Sequence, residues 1–119
     1  MKTEETPGLI GIVNSILDEA LKYKARFVCI DSTDVWIQTE TGESKEKISL
    51  TLWVGKNLLP SIRARLRIMA QMSIADHKHL LRGEFTYGPR RRGVNKKKFS
   101  AICVPACASG DILILEIIS

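Results

Sequence analysis

A chain of 119 residues, 45% hydrophobic and 26% charged, has room for one domain with its own core and lies far from disordered, collagenous or membrane compositions. Three cysteines behind an N-terminus (MKTEETPGL) that is neither basic nor apolar point to a reducing cytoplasm, and the longest apolar run, ILILEII, is interrupted by Glu116. Net charge is +5, but six cations (Arg90, Arg91, Arg92, Lys96, Lys97, Lys98) lie in the acid-free segment 89–98, and without them the remainder stands at −1.

Residues 1–8 read as a flexible polar lead-in and 9–119 as one domain. Pro7 suits a first helical turn, and Leu9, Ile10, Ile12, Val13, Ile16, Leu17, Ala20 and Leu21 recur at helical spacing, which predicts an amphipathic helix of about four turns. Phe27–Ile30 is a dense apolar run that suits a buried strand, Asp31-Ser32-Thr33-Asp34 supplies turn residues, and Val35–Gln38 makes a second strand. Thr41-Gly42-Glu43-Ser44 reads as the next turn, and Ile48, Leu50, Leu52 and Val54 alternate with polar residues and Trp53, which predicts a third strand there. From Pro60, Ile62, Leu66, Met69, Ala70 and Ser73 return to helical spacing, with Arg63 and Arg67 on the polar side. Residues 84–87 and 99–104 read as strands flanking the basic tip, and Ile112–Ile118 as a last strand. The order helix, three strands, helix, three strands predicts an α+β fold: a mainly antiparallel sheet of about six strands with two amphipathic helices packed against it.

Three segments resemble the domain that precedes the motor core in type II secretion and type IV pilus-assembly ATPases. ALKYKARFVCID (20–31) stands where that family has a helix end followed by A-S-D-I-H-I-E, and FSAICVPACASGDILILEII (99–118) stands against L-R-V-S-T-L-P-T-x-x-G-E-x-V-V-L-R-L-L. The middle segment, RLRIMAQMSIADHKHLLRGEF (65–85), is the most specific, matching in register at Arg65, Leu66, Ile68, Met69, Ala70, Ile74, Ala75, Gly83 and Phe85. The resemblance covers about residues 9–118 and is compatible with a PAS-like layout. It implies a partner ATPase, or a second copy, as the binding partner.

The departures fall on the polar letters. Family arginines thought to reach nucleotide phosphates across a subunit boundary fall on Trp36, Gln38, Ser100 and Glu116; the E-R-R run falls on Asp76, His77 and Lys78, the P-Q-D run on Leu80, Leu81 and Arg82, and the arginine after glycine on Glu84. A changed polar set on a kept apolar skeleton preserves a fold while removing phosphate contacts. The sequence contains no G-x-x-x-x-G-K-[ST], so no ATP hydrolysis and no cofactor are expected of the chain alone. Arg63, Arg67, Lys78 and Arg82 remain as candidate contacts to an interface or to a nucleotide held by another subunit.

The basic tip, Arg90, Arg91, Arg92, Lys96, Lys97 and Lys98, is the strongest positive signal, suited to an acidic protein face, a nucleic acid or an anionic membrane surface; the competing reading is a solvated hairpin end. Nucleic acid is the weaker option, because the tip holds no aromatic for base stacking, and Tyr87 and Phe99 flank it at strand positions. His77, His79, Cys103 and Cys107 have poor spacing for zinc, so no metal is expected. Cys29, between Val28 and Ile30, reads as a core thiol. Asp31, Asp34, Glu40 and Glu43 gather at the first two turns, where turn chemistry accounts for them without catalysis, and Trp36 and Trp53 read as partly buried sheet residues or as an interface contact.

Overall fold

The apolar stripe of the first helix sets the architecture. In the structure, a computed structural model that describes residues 5–41, 44–50, 56–73, 78–88, 96–105 and 111–118, α1 runs Glu5–Lys22 and buries Val13, Ile16, Leu17 and Ala20. A short 3₁₀ turn, Lys56–Leu58, leads into α2, Leu59–Met69, with Pro60 in its first turn and Leu59, Ile62 and Leu66 buried. No described helix is long and apolar enough to cross a membrane.

The strands are β1 (Ala25–Ile30), β2 (Val35–Thr41), β3 (Ser44–Ser49), β4 (Leu81–Tyr87), β5 (Lys97–Val104) and β6 (Ile112–Ile118). They form one six-stranded sheet in the order β3-β2-β1-β6-β5-β4, with every neighbouring pair antiparallel. Two three-stranded meanders therefore meet at a β1–β6 seam. The helices contact each other, α1 packs on β1 and α2 on β4, so the α+β layout expected from the sequence is the one observed.

One core lies between the helices and one face of the sheet. Val28, Ile30, Val35, Ile37, Phe99, Ala101, Cys103, Leu113 and Leu115 face it, as the period of two along a strand requires. Phe85 and Phe99 stack with ring centroids 5.1 Å apart, and Tyr87 meets Phe99 edge-on at 6.5 Å. Gly83 faces the end of α2 so closely that a Cβ there would overlap the Ala70 carbonyl oxygen.

Both helices end on a left-handed residue that is not glycine, Lys24 (φ 53°) after α1 and Gln71 (φ 60°) after α2. At α2 the Gln71 N–H donates to Ile68 O at 3.0 Å and the Met72 N–H to Arg67 O at 2.8 Å, the paired bonds of a Schellman motif.

Three expectations are corrected. The third strand lies earlier than its apolar alternation suggested: Thr41 pairs with Ser44, so the tight turn sets the register and the strand is built from SKEKIS. This is the outer strand of the sheet, where charge discourages edge-to-edge pairing. Leu50 is buried just beyond it, its N–H bonded to Val35 O at 2.7 Å, while Leu52, Trp53 and Val54 lie outside the described residues. Cys29 is not a core thiol, because strand alternation turns Val28 and Ile30 inward and Cys29 to the opposite face; Cys103 is the buried one.

Arg67 is the third correction. It lies on the buried side of α2, 3% exposed, and its Nη1 donates to Asp111 Oδ2 at 2.8 Å while Nη2 donates to the Ser73 carbonyl. Its charge is answered inside the domain by Asp111, rather than facing out on the polar side of the helix.

Candidate functional site

The second face of the sheet has no helix over it among the described residues. Its composition follows from strands that are apolar on both sides: ARFVCI, KKFSAICV and ILILEII alternate between core residues and further apolar residues, rather than between apolar and polar. Phe27, Cys29, Trp36, Ile102, Val104, Ile112 and Ile114 are half-buried there, and none belongs to the core cluster or packs against it.

Register aligns these residues. Cys29 pairs with Trp36 on one side and with Ile114 on the other, Ile114 pairs with Ile102, and the row ends on Ser49 and Arg82 at the two sheet edges. The adjacent row reads Lys47, Gln38, Phe27, Glu116, Ser100, Glu84. One row is thus apolar in its middle four positions, and the other is polar except for Phe27.

Charges frame the patch. The Lys47 ammonium lies 4.4 Å from the centroid of the Trp36 ring, a cation–π contact that covers one end of the apolar row. Arg26 lies 3.8 Å from Glu116 and Lys98 lies 3.2 Å from Glu84, both pairs about half-exposed and worth little to stability. Burial and the nearby Asp31 carboxylate push the Cys29 thiol up, against a smaller opposing pull from Lys47, so it stays protonated at neutral pH.

Comparison with known proteins gives no match to any family model, and no curated protein aligns significantly with the chain. The surface itself carries the functional argument.

Several of the positions singled out in the sequence lie on this face, while Leu81 packs against the core, Lys78 and Leu80 precede β4, and Asp76 and His77 lie outside the described residues. Trp36 belongs to the apolar row with Arg82 at its end, while Gln38, Glu84, Ser100 and Glu116 belong to the polar row. Five positions scattered over the sequence, 36, 38, 84, 100 and 116, thereby form one surface.

The remaining candidates separate. Lys96, Lys97 and Lys98 are exposed at the root of the β4–β5 hairpin, with Lys97 and Lys98 already in β5, whereas Arg90, Arg91 and Arg92 lie outside the described residues. Lys78 and Arg82 are exposed, and Arg63 is half-buried, its Nη1 donating to Asp31 O at 2.6 Å. Arg63 and Arg67 both find acceptors inside the domain, while Lys78 and Arg82 stand exposed before and within β4.

The acidic residues of the first turn do structural work. Asp31 Oδ1 accepts from the Thr33 N–H (2.8 Å), the Thr33 hydroxyl (3.0 Å) and the Asp34 N–H (2.8 Å), and the Ser49 hydroxyl donates to Asp34 Oδ1 at 2.8 Å. Burial raises the Asp31 carboxyl, but these bonds and Arg63 outweigh it and hold the group below its ordinary range. Glu43 lies outside the described residues. His79 is exposed and Cys103 buried, His77 and Cys107 lie outside the described residues, and no metal-ligand group of three forms among those described.

Two features escaped the sequence reading. Asp111 gave no local sign of pairing with Arg67, because the two are joined only by the fold. The open apolar row did leave a sign, since uninterrupted runs such as ILILEII in an antiparallel sheet imply apolar residues on both faces.

Proposed function

We propose that the chain is a non-catalytic docking module, related to the pre-motor domain of secretion and pilus-assembly ATPases, whose open sheet face receives a partner ATPase or a second copy. The observation that carries this reading is the register row Trp36, Cys29, Ile114, Ile102, an apolar stripe on a face that no described helix covers. An aromatic residue among aliphatic ones, inside a polar and charged frame, has the composition of an interface centre and rim. The departures at positions 36, 38, 84, 100 and 116 support it further. Where the resembling domains carry phosphate-directed arginines, this chain presents Trp36, Gln38, Glu84, Ser100 and Glu116, which suit protein contact better than an anion.

The test pairs Trp36→Ser with Ile114→Thr, which reduces apolar area on the open face and leaves the core face untouched. Sedimentation of the purified chain and capture of the motor ATPase from source-cell lysate are measured for both versions, with circular dichroism to verify folding. Loss of either association in a folded variant supports docking through this face; unchanged association overturns it.

A second reading has its own observation: Lys96, Lys97 and Lys98 stand exposed together at the hairpin root, next to Arg90, Arg91 and Arg92 in sequence. An anion-binding role of this segment, toward nucleic acid or an acidic membrane surface, predicts capture that falls steeply with salt and vanishes when the six cations become Ser. Docking through the open face predicts capture that resists salt.

A further inference from the structure

On the helix side of the sheet, away from the open face, α1, α2 and the β4–β5 hairpin enclose a cleft of about 520 Å³. Ile10 is the one large apolar residue in its lining. The polar groups are Asn14 and Asp18 from α1, Arg65 from α2, Thr86 and Tyr87 from β4, and Lys96 just before β5.

The charges in this lining are unevenly satisfied. Asp18 is engaged: the Tyr87 hydroxyl donates to its Oδ1 at 2.7 Å and also lies 3.2 Å from Asn14 O. Burial, followed by the Asp18 contact, pushes the Tyr87 hydroxyl up to about 12, so it stays a neutral donor and Asp18 is the one negative group of the lining. Arg65 is half-buried, and neither it nor Lys96 has a hydrogen-bond or ion-pair partner among the described residues. This differs sharply from Arg63 and Arg67, which both find internal acceptors.

We propose that this cleft binds a phosphate monoester, with the phosphate held between the Arg65 guanidinium and the Lys96 ammonium and the rest of the molecule against Ile10 and Asn14. A guanidinium offers a planar fork to two phosphate oxygens, and a lysine adds a point charge on a flexible stem. With Asp18 turned to the Tyr87 hydroxyl, the lining keeps a net positive charge that favours an anion, and a guanidinium fork beside a second cation suits the three oxygens of a phosphate better than the two of a carboxylate. The cleft is far larger than a bare phosphate, so it has room for the esterified group.

The site stands or falls separately from the docking reading, because none of its residues lies in the open-face rows. The test is a ¹H–¹⁵N titration of the chain with inorganic phosphate, glycerol phosphate and acetate at constant ionic strength, following the Thr86 and Gly88 amides. Saturable shifts with both phosphates, tighter for the ester and absent with acetate, are expected. Arg65→Gln weakens them about tenfold or more, Arg65→Lys by less, and Lys22→Gln, at an exposed site outside the cleft, leaves them unchanged. Tighter binding of inorganic phosphate than of the ester removes the monoester assignment. Equal weakening by Lys22→Gln, unchanged binding in both Arg65 variants, or no saturable shift below roughly 10 mM phosphate overturns the site altogether.

Discussion

Arg67 and Asp111, 44 residues apart in sequence, form a nearly dry ion pair at 2.8 Å, with side chains 4% and 9% exposed. The pair ties the last turn of α2 to the residue that precedes β6. Removing one partner leaves a buried charge unanswered, so Asp111→Ala is expected to cost about 3–5 kcal/mol in chemical denaturation. Arg67→Met combined with Asp111→Leu recovers most of that loss, since no buried charge is then left unanswered and the carbonyl of exposed Ser73 can turn to water. A double variant no more stable than Asp111→Ala would refute this account.

Gly83→Ala probes the contact between β4 and the end of α2. The new methyl overlaps the Ala70 carbonyl oxygen, a backbone atom that cannot swing aside, and a loss of about 1–3 kcal/mol is expected. Ala70→Gly does not relieve it, because the obstruction is the carbonyl rather than the Ala70 side chain. Thermal melts of the two single variants and their combination decide the matter.

Gln71→Gly is expected to stabilise the chain. A side chain at φ 60° costs about 1–2 kcal/mol, and the added freedom of glycine in the unfolded chain returns roughly half of that, leaving a gain of about 0.5–1 kcal/mol. A lower denaturation midpoint would show that the Gln71 side chain makes a compensating contact.

Tyr87 gives a pH signature on the alkaline side. Its hydroxyl ionises near 10 when unfolded and at about 12 in the fold. A raised folded value means the contribution is complete below pH 10 and is lost as pH rises from 10 toward about 12. Tyr87→Phe is therefore less stable than the parent by about 1 kcal/mol at neutral pH, with the gap closing across that window. A constant gap from pH 8 to 12 would mean that burial and the Asp18 contact do not raise the Tyr87 hydroxyl.

Much of the fold was legible because periodicity is a local property. The heptad-like spacing of Val13, Ile16, Leu17 and Ala20 named α1, and the flanking Gly88 and the apolar residues from Phe99 onward marked the β4–β5 hairpin. What failed was facing and register. Leu50, Leu52 and Val54 drew β3 too late, because the Thr41–Ser44 pairing at the turn prevails over apolar alternation. Arg67 looked solvent-directed because a helical pattern gives no sign that its acceptor lies in a later loop. Cys29 looked internal because an apolar run cannot say which of its alternate residues meets the helices. Uninterrupted runs such as ILILEII hinted at a second apolar face, but not at its alignment, because the row's members belong to four strands and meet only through the β1–β6 seam.

That seam also dictates when the molecule can be finished. Each meander is assembled from near neighbours in sequence, but Phe27 meets Glu116 and Ile30 meets Leu113 only after β2 to β5 have been made. Closing so long a loop is slow, and until then the two central edges stay bare. A nascent chain halted before Ile112 therefore holds β1 and β5 with nothing to join them, two bare pairing edges open to capture by another copy.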